Sequence, residues 1–242
     1  MNLIPYIFRY IQNLQGDTKN DKKQEMDTRK TMSCIFVVDT SESMNYPVND
    51  PPINDLNRAL RAFPEYIKNQ QIININIDIS LIQTHNNNAG IVSQFVPISQ
   101  WKQESLRATG LSPIGRCLET AIQLAKQRMN EVDHMDKPSY PVWIILFTDG
   151  RSTDGVRQAR EWLKEERLNK NTEYILWIVA TEDADMRICR SLTDHILIMN
   201  HKDYDNVFQW TSDCFRILSE HENVSLRLLE KQYNLIIEKK KG

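Results

Sequence analysis

At 242 residues the chain is long enough for one α/β domain of about 180 to 200 residues with an extension at either end. A formal charge of −2 gives no electrostatic case for nucleic acid or an anionic membrane, and no stretch approaches the roughly eighteen apolar residues that a membrane span needs. Only 7 glycines and a hydrophobic content of 40% argue against a fibrous or low-complexity chain.

The first eleven residues are apolar and aromatic, but they have no basic start, Pro5 and Arg9 interrupt them, and no small-x-small cleavage site follows. They are therefore not read as a signal peptide. Ile4, Ile7, Phe8 and Ile11 can share one side of a short helix over residues 1–15, read as packing on the domain in preference to docking a partner. Residues 16–30 are almost wholly polar and read as a linker or solvated turn.

Ser33 to Val38 is mostly apolar and β-branched, which predicts a strand buried on both faces. It runs straight into Asp39, Ser41 and Ser43. Alternate residues of an extended segment point the same way, so these three side chains can converge just past the strand. One carboxylate and two hydroxyls form a hard oxygen set suited to Mg²⁺, Mn²⁺ or Ca²⁺. Taken alone, the pattern reads equally as the N-cap of a following helix.

Asn45 to Pro52 is a loop, and Ile53, Leu56, Leu60, Phe63 and Ile67 predict a helix to about Asn69, with Pro64 inside it as a possible kink. The alternating run from Ile73 predicts a strand with one wet face, paired as a hairpin with Ala89 to Ile98 across Asn86 to Asn88. A loop, Ser99 to Ser112, leads to a helix over about Pro113 to Glu131. Pro141 to Phe147 is a second buried strand, ending in T-D-G. Val156 to Leu168 is a charged helix, with Asp154 read as its N-cap. There follow a strand over Tyr174 to Ala180, a short helix near Asp185 to Ser191, a strand over His195 to Met199 and a helix over Asp203 to Leu218. Residues 222–242 read as helical with a basic tail.

This alternation predicts a doubly wound, mostly parallel six-stranded sheet with one antiparallel edge strand and helices on both faces. The domain reading is an N-terminal extension over 1–30, the sheet domain over 31–220 and a C-terminal tail over 221–242. Four isolated cysteines, at 34, 117, 189 and 214, read as reduced, mostly buried thiols of a cytoplasmic protein. The five histidines include no H-x-x-x-H pair and read as surface or packing residues, while Trp143 and Trp177 are assigned to the core.

Two further oxygen clusters flank the same predicted sheet edge: T-G-L-S-P-I-G over Thr109 to Gly115, and F-T-D-G-R-S-T-D over Phe147 to Asp154. Loops at the C-terminal ends of adjacent strands lie side by side at a topological switch point, so three such loops can share one cation. Their joint occurrence disfavours the capping reading of Asp39, Ser41 and Ser43.

The combination resembles the von Willebrand factor type A (VWA) domain with its metal-ion-dependent adhesion site (MIDAS). The D-x-S-x-S element is complete at Asp39, Ser41 and Ser43, and Asp149 in T-D-G matches the final aspartate. The family has a Thr at the middle position. Ser112 takes it here, with Leu118 six residues on, and Thr109 is the competing candidate. The resemblance implies that Ser41, Ser43 and the middle hydroxyl ligate the cation, with Asp39 and Asp149 direct or through water. It also implies that an Asp or Glu of a partner protein completes the shell. The T-G-L-S-P-I-G, P-V-W-I-I-L-F-T-D-G-R-S-T-D and H-K-D-Y-D-N-V-F-Q-W stretches are most similar to compact bacterial VWA proteins associated with tellurite resistance (TerY-like). That likeness implies a cytoplasmic role beside a kinase, phosphatase or ATPase in stress response or defence.

The rival class is a Mg²⁺-dependent phosphohydrolase using the same strand-end site. Against it, neither serine-rich loop contains a Lys, no glycine-rich phosphate cradle follows the first strand, and D-x-S replaces D-x-D. A P-loop is absent from the sequence.

Overall fold

β1 (Lys30–Val38) is buried along nearly its whole length, with Met32, Cys34, Phe36 and Val38 facing one way and Ile35 and Val37 the other. The computed structural model describes residues 28–200, 203–221 and 224–241. The expected helix over 1–15 and most of the linker over 16–30 lie outside the described residues.

β2 (Ile75–His85), β3 (Asn88–Pro97), β4 (Val142–Thr148), β5 (Tyr174–Thr181) and β6 (Ile196–Met199) join β1 in one sheet of order β3-β2-β1-β4-β5-β6. Every neighbouring pair is parallel except β2 with β3. The helices among the described residues are α1 (Pro52–Asn69), α2 (Ile114–His134), α3 (Arg157–Arg167), α4 (Met186–Leu192), α5 (Tyr204–Glu220) and α6 (Leu226–Lys241). α1, α5 and α6 cover the face of Phe36, and α2, α3 and α4 cover the face of Ile35. With both faces covered, β1, β4 and β5 need continuous apolar runs, which is how they read in the sequence. The chain turns one way from β1 to β2 and the other way from β4 to β5, so the switch point lies between β1 and β4.

Two aromatic triangles stiffen the α1/α5 face. Phe36, Phe63 and Phe208 have ring centroids 4.9 to 5.3 Å apart, and Phe147 stacks on Phe208 at 5.6 Å. Trp143, Trp177 and Trp210 form the second, at 5.1 to 5.9 Å. Burial of this many rings beneath the strands makes the sheet a fixed platform for its loops.

β2 departs from its predicted pattern in two ways. It begins at Ile75, where it pairs with Lys30 at the start of β1; Ile73, with no strand to pair, is exposed. Nor does β2 keep a wet face. α2 closes over it, and Arg128 of α2 pairs with Asp78 and donates to Ser33 Oγ at 3.3 Å. The guanidinium also lies over the Phe95 ring, 5.4 Å from its centroid. One cation thus allows polar positions of the strand to be covered. The hairpin is tighter than predicted: Asn86 and Asn87 alone form the turn, at φ of 47° and 60°, and Asn88 already pairs with His85. Two consecutive positive φ values define a type I′ turn, which asparagine tolerates.

Candidate metal centre

The first loop leaves β1 at Asp39. Rather than staying extended, the chain turns into a short 3₁₀ helix over Glu42–Asn45, so Ser43 reaches the site on a turn instead of by strand alternation. Convergence is kept nonetheless: Ser41 Oγ lies 2.9 Å from Ser43 Oγ. Asp39 Oδ1 accepts from Ser41 N at 2.7 Å and from Thr84 Oγ1 at 3.3 Å. Ser41 is buried and Ser43 exposed, so the pair leads from the sheet edge to the surface.

The second loop is zipped to the first through backbone bonds, Thr109 N to Thr40 O at 2.8 Å and Glu42 N to Gly110 O at 3.0 Å. Asn87 of the hairpin turn props it from outside, its Oδ1 accepting from Leu111 N at 3.1 Å. This arrangement delivers Ser112, 6% exposed, to the first loop, where its Oγ donates to Asp39 Oδ2 at 2.7 Å. Thr109 is exposed and contributes its backbone to the zip. Of the two middle candidates, Ser112 is the one brought to Asp39.

The third loop follows β4. Asp149 Oδ1 accepts from Arg151 N at 2.8 Å. Gly150 takes φ of 73°, and a Cβ there would stand 2.9 Å from the backbone of Asp185, so the T-D-G glycine lets the loop lie against the start of α4. Burial pushes the Asp149 carboxyl above its ordinary value and the charge of Asp39 adds to the rise, against the lowering pull of the Arg151 N–H. The two carboxylates therefore repel across a partly buried space, which is the electrostatic setting a cation relieves.

The donors gathered here are hydroxyls more than carboxylates or imidazoles. Among the described residues no group of three or more His, Cys, Asp or Glu side chains could hold a metal ion. The oxygen set fits a hard cation all the same. Neighbouring oxygens of an octahedral shell with metal–oxygen bonds of about 2.0–2.1 Å stand about 2.9 Å apart. The Ser41–Ser43 and Asp39–Ser112 oxygen pairs, at 2.9 and 2.7 Å, already have that spacing.

Two residues were not legible as parts of this site. Thr84, at the end of β2, accepts from Thr40 N at 2.8 Å, takes the Thr40 hydroxyl on its carbonyl at 2.5 Å and donates to Asp39. Only its strand-end position next to β1 could have pointed to it. Asp154 requires a correction. It does not cap α3, whose N-cap position is Val156. It caps α2, accepting from Gly115 N at 2.8 Å and Arg116 N at 2.9 Å. Gly155 and Val156 carry the chain on before α3 starts, which leaves the carboxylate free to reach the neighbouring helix. His195 packs on Trp177 at 4.9 Å and faces Glu230 at 2.7 Å. All four cysteines are free and buried.

A family model of the von Willebrand factor type A domain matches residues 34–209. No curated protein matches the chain. Among solved structures, the fold is similar to the pilus adhesin SpaC from Lactobacillus rhamnosus GG in its open conformation (15% identity, 82% of this chain and 31% of that one, TM-score 0.57). It is also similar to the vWF domain of the type V pili tip protein Mfa5 from Porphyromonas gingivalis (10% identity, 82% and 99%, TM-score 0.53). A third likeness is to proximal thread matrix protein 1 of the mussel byssus, in a form with a zinc-occupied MIDAS motif (13% identity, 76% and 48%, TM-score 0.51). The chain spans about half the length of the mussel protein and a third of the adhesin. No helix among the described residues is long and apolar enough to cross a membrane.

Proposed function

The chain belongs to the von Willebrand factor type A domain family, and on that premise we propose that it is a metal-dependent protein-binding module whose ligand is an acidic side chain of a partner. The observation that carries this reading is the convergence of three loops at the switch point, with Ser112 Oγ 2.7 Å from Asp39 and Ser41 Oγ 2.9 Å from Ser43. Ser41, Ser43 and Ser112 would hold the ion through hydroxyls, and Asp39 and Asp149 directly or through water. The ion is Mg²⁺, with Mn²⁺ or Ca²⁺ as substitutes; the zinc in the mussel protein's MIDAS motif supports a divalent cation at this place in the fold.

When bound, the cation supplies a Lewis-acidic position for a further carboxylate. The chain's own residues do the rest. Neutral hydroxyls leave the ion short of negative charge, so an acidic partner is favoured where a site of several carboxylates would repel it. Thr84, Ser41 N and Ser112 orient Asp39, and Arg151 N orients Asp149.

The finer reading places the binding module over residues 31–220, with 1–30 and 221–242 as extensions. It makes the partner a kinase, phosphatase or ATPase in the bacterial cytoplasm, serving stress response or defence as the tellurite-resistance-associated likeness implies. The test is calorimetric titration of Mg²⁺ and Mn²⁺ into wild type and Asp39→Ala. It is followed by capture of partners from the source lysate in Mg²⁺ and in EDTA. The reading requires saturable binding lost in Asp39→Ala and a partner retained only by metal-loaded wild type. Equal capture in all conditions would overturn it, and hydrolysis of p-nitrophenyl phosphate that depends on Asp39 would establish the enzyme instead.

A further inference from the structure

The first turn of α2 is held from outside its own chain segment. Pro113 at its N-cap position makes no side-chain cap bond, and the free amides of a helix start need acceptors. Asp154 supplies both, Oδ1 to Gly115 N at 2.8 Å and Oδ2 to Arg116 N at 2.9 Å. The Ser152 hydroxyl donates to Oδ1 at 2.7 Å, which fixes the carboxylate's own orientation.

The residues so fastened lie next to the site. Ser112 is two positions ahead of α2, and its carbonyl accepts from Thr153 N at 2.9 Å. Asp149 begins the loop from which Thr153 and Asp154 project. Backbones of the two loops also touch: a Cβ on Gly115 would fall 2.2 Å from Gly155 O. On the outer side, Arg116 donates to Asn87 O at 3.0 Å, so the same turn of helix is tied to the hairpin as well.

We propose that Asp154 is a positioning residue of the metal site. It fastens the loop of Ser112 to the loop of Asp149, so that both side chains are set before a cation arrives. The inference rests on the metal-binding reading above. Removing a carboxylate that only stabilised a helix would lower the unfolding temperature and leave the folded protein's metal affinity alone. One that orients ligands changes that affinity, and loss of an orienting contact of this kind weakens metal binding by about 10- to 100-fold.

The experiment titrates Mn²⁺ calorimetrically into wild type, Asp154→Ala and Asp154→Asn at a temperature where each is folded. It also follows amide hydrogen exchange of the metal-free proteins. The expected result is about 10- to 100-fold weaker Mn²⁺ binding in Asp154→Ala, with an intermediate loss in Asp154→Asn, which keeps one acceptor. Faster exchange should be confined to residues 109–116 and 149–155. If Asp154→Ala does not fold, the Asn variant carries the comparison. Affinities equal to wild type would overturn the inference and leave the metal reading standing, whereas a wild type that binds no Mn²⁺ would overturn the metal reading and the inference with it.

Discussion

Alanine at Gly115 tests the contact between the second and third loops directly. In an unencumbered helix, Gly→Ala gains about 1 kcal/mol. Here the new Cβ would stand 2.2 Å from Gly155 O and 3.0 Å from Gly155 C, where ordinary contact begins at 3.4 Å. Backbone must therefore retreat by about 1 Å, and overpacking of this kind costs about 1–3 kcal/mol. A clash with backbone at 2.2 Å belongs at the upper end of that range, so the net expectation is a loss of about 2 kcal/mol, opposite in sign to helix propensity. Gly155 is the internal control, because a Cβ there meets no atom within 4 Å. Gly155→Ala should be neutral or more stable by up to about 1 kcal/mol through a stiffer unfolded chain. Urea unfolding followed by tryptophan fluorescence separates the two: with m of about 1–3 kcal/mol per M, the Gly115→Ala midpoint falls by about 0.5 M or more. A Gly115→Ala protein as stable as wild type would refute the close approach of the two loops.

Three further outcomes follow from the packing and the site. Ser112→Ala should weaken Mn²⁺ binding by at least about tenfold, while Thr109→Ala, which keeps the backbone zip, should change it by less than about twofold; calorimetry of both decides which hydroxyl is the middle ligand. Phe208→Ala empties a position within 4.9 to 5.6 Å of Phe36, Phe63 and Phe147 and should cost about 3–5 kcal/mol in urea unfolding. Burial pushes the thiols of Cys34 and Cys214 well up and that of Cys117 to about 12, and it raises the phenols of Tyr204 and Tyr233. Groups whose folded values are raised stabilise fully below the unfolded thiol value of about 8.5. That contribution is lost as pH climbs from there toward 12, by about 1.4 kcal/mol per pH unit for each group ionising only in the unfolded chain. Melting temperatures measured from pH 7 to 11 should fall across that window; a flat profile would count against burial of these groups.

The strands and helices were readable from their apolar patterns: β1 and β4 are unbroken runs buried on both faces, and α1 shows Ile53, Leu56, Leu60, Phe63 and Ile67 along one side. The three oxygen clusters were readable because strand ends announce a sheet edge. What stayed hidden depends on contacts between segments far apart in the chain. An Asp just before a helix looks like that helix's cap, and nothing local says that Asp154 reaches 39 residues back to Gly115. Asp78 looks like a solvent-facing strand residue until Arg128, 50 residues on, covers it. Thr84 becomes part of the site only once β2 lies beside β1. Between Thr109 and Ser112, spacing favoured the serine, but the hydrogen bond to Asp39 belongs to the assembled loops.

The distances along the chain also bear on how the protein is made. Ser112 meets Asp39 across 73 residues, and Asp149 arrives only when β4 has paired with β1. Until the loops meet, Ser112 and Asp149 lie on segments apart from Asp39, Ser41 and Ser43, and the full oxygen set is not assembled. An ion that needs all three loops together would bind the assembled site and not the separate segments, so it would stabilise the folded state by mass action. Where the loops close after the folding barrier, that stabilisation would be read as slower unfolding. The cation would then act as a latch on a completed molecule, and the same event that makes the module competent to bind would lengthen its life.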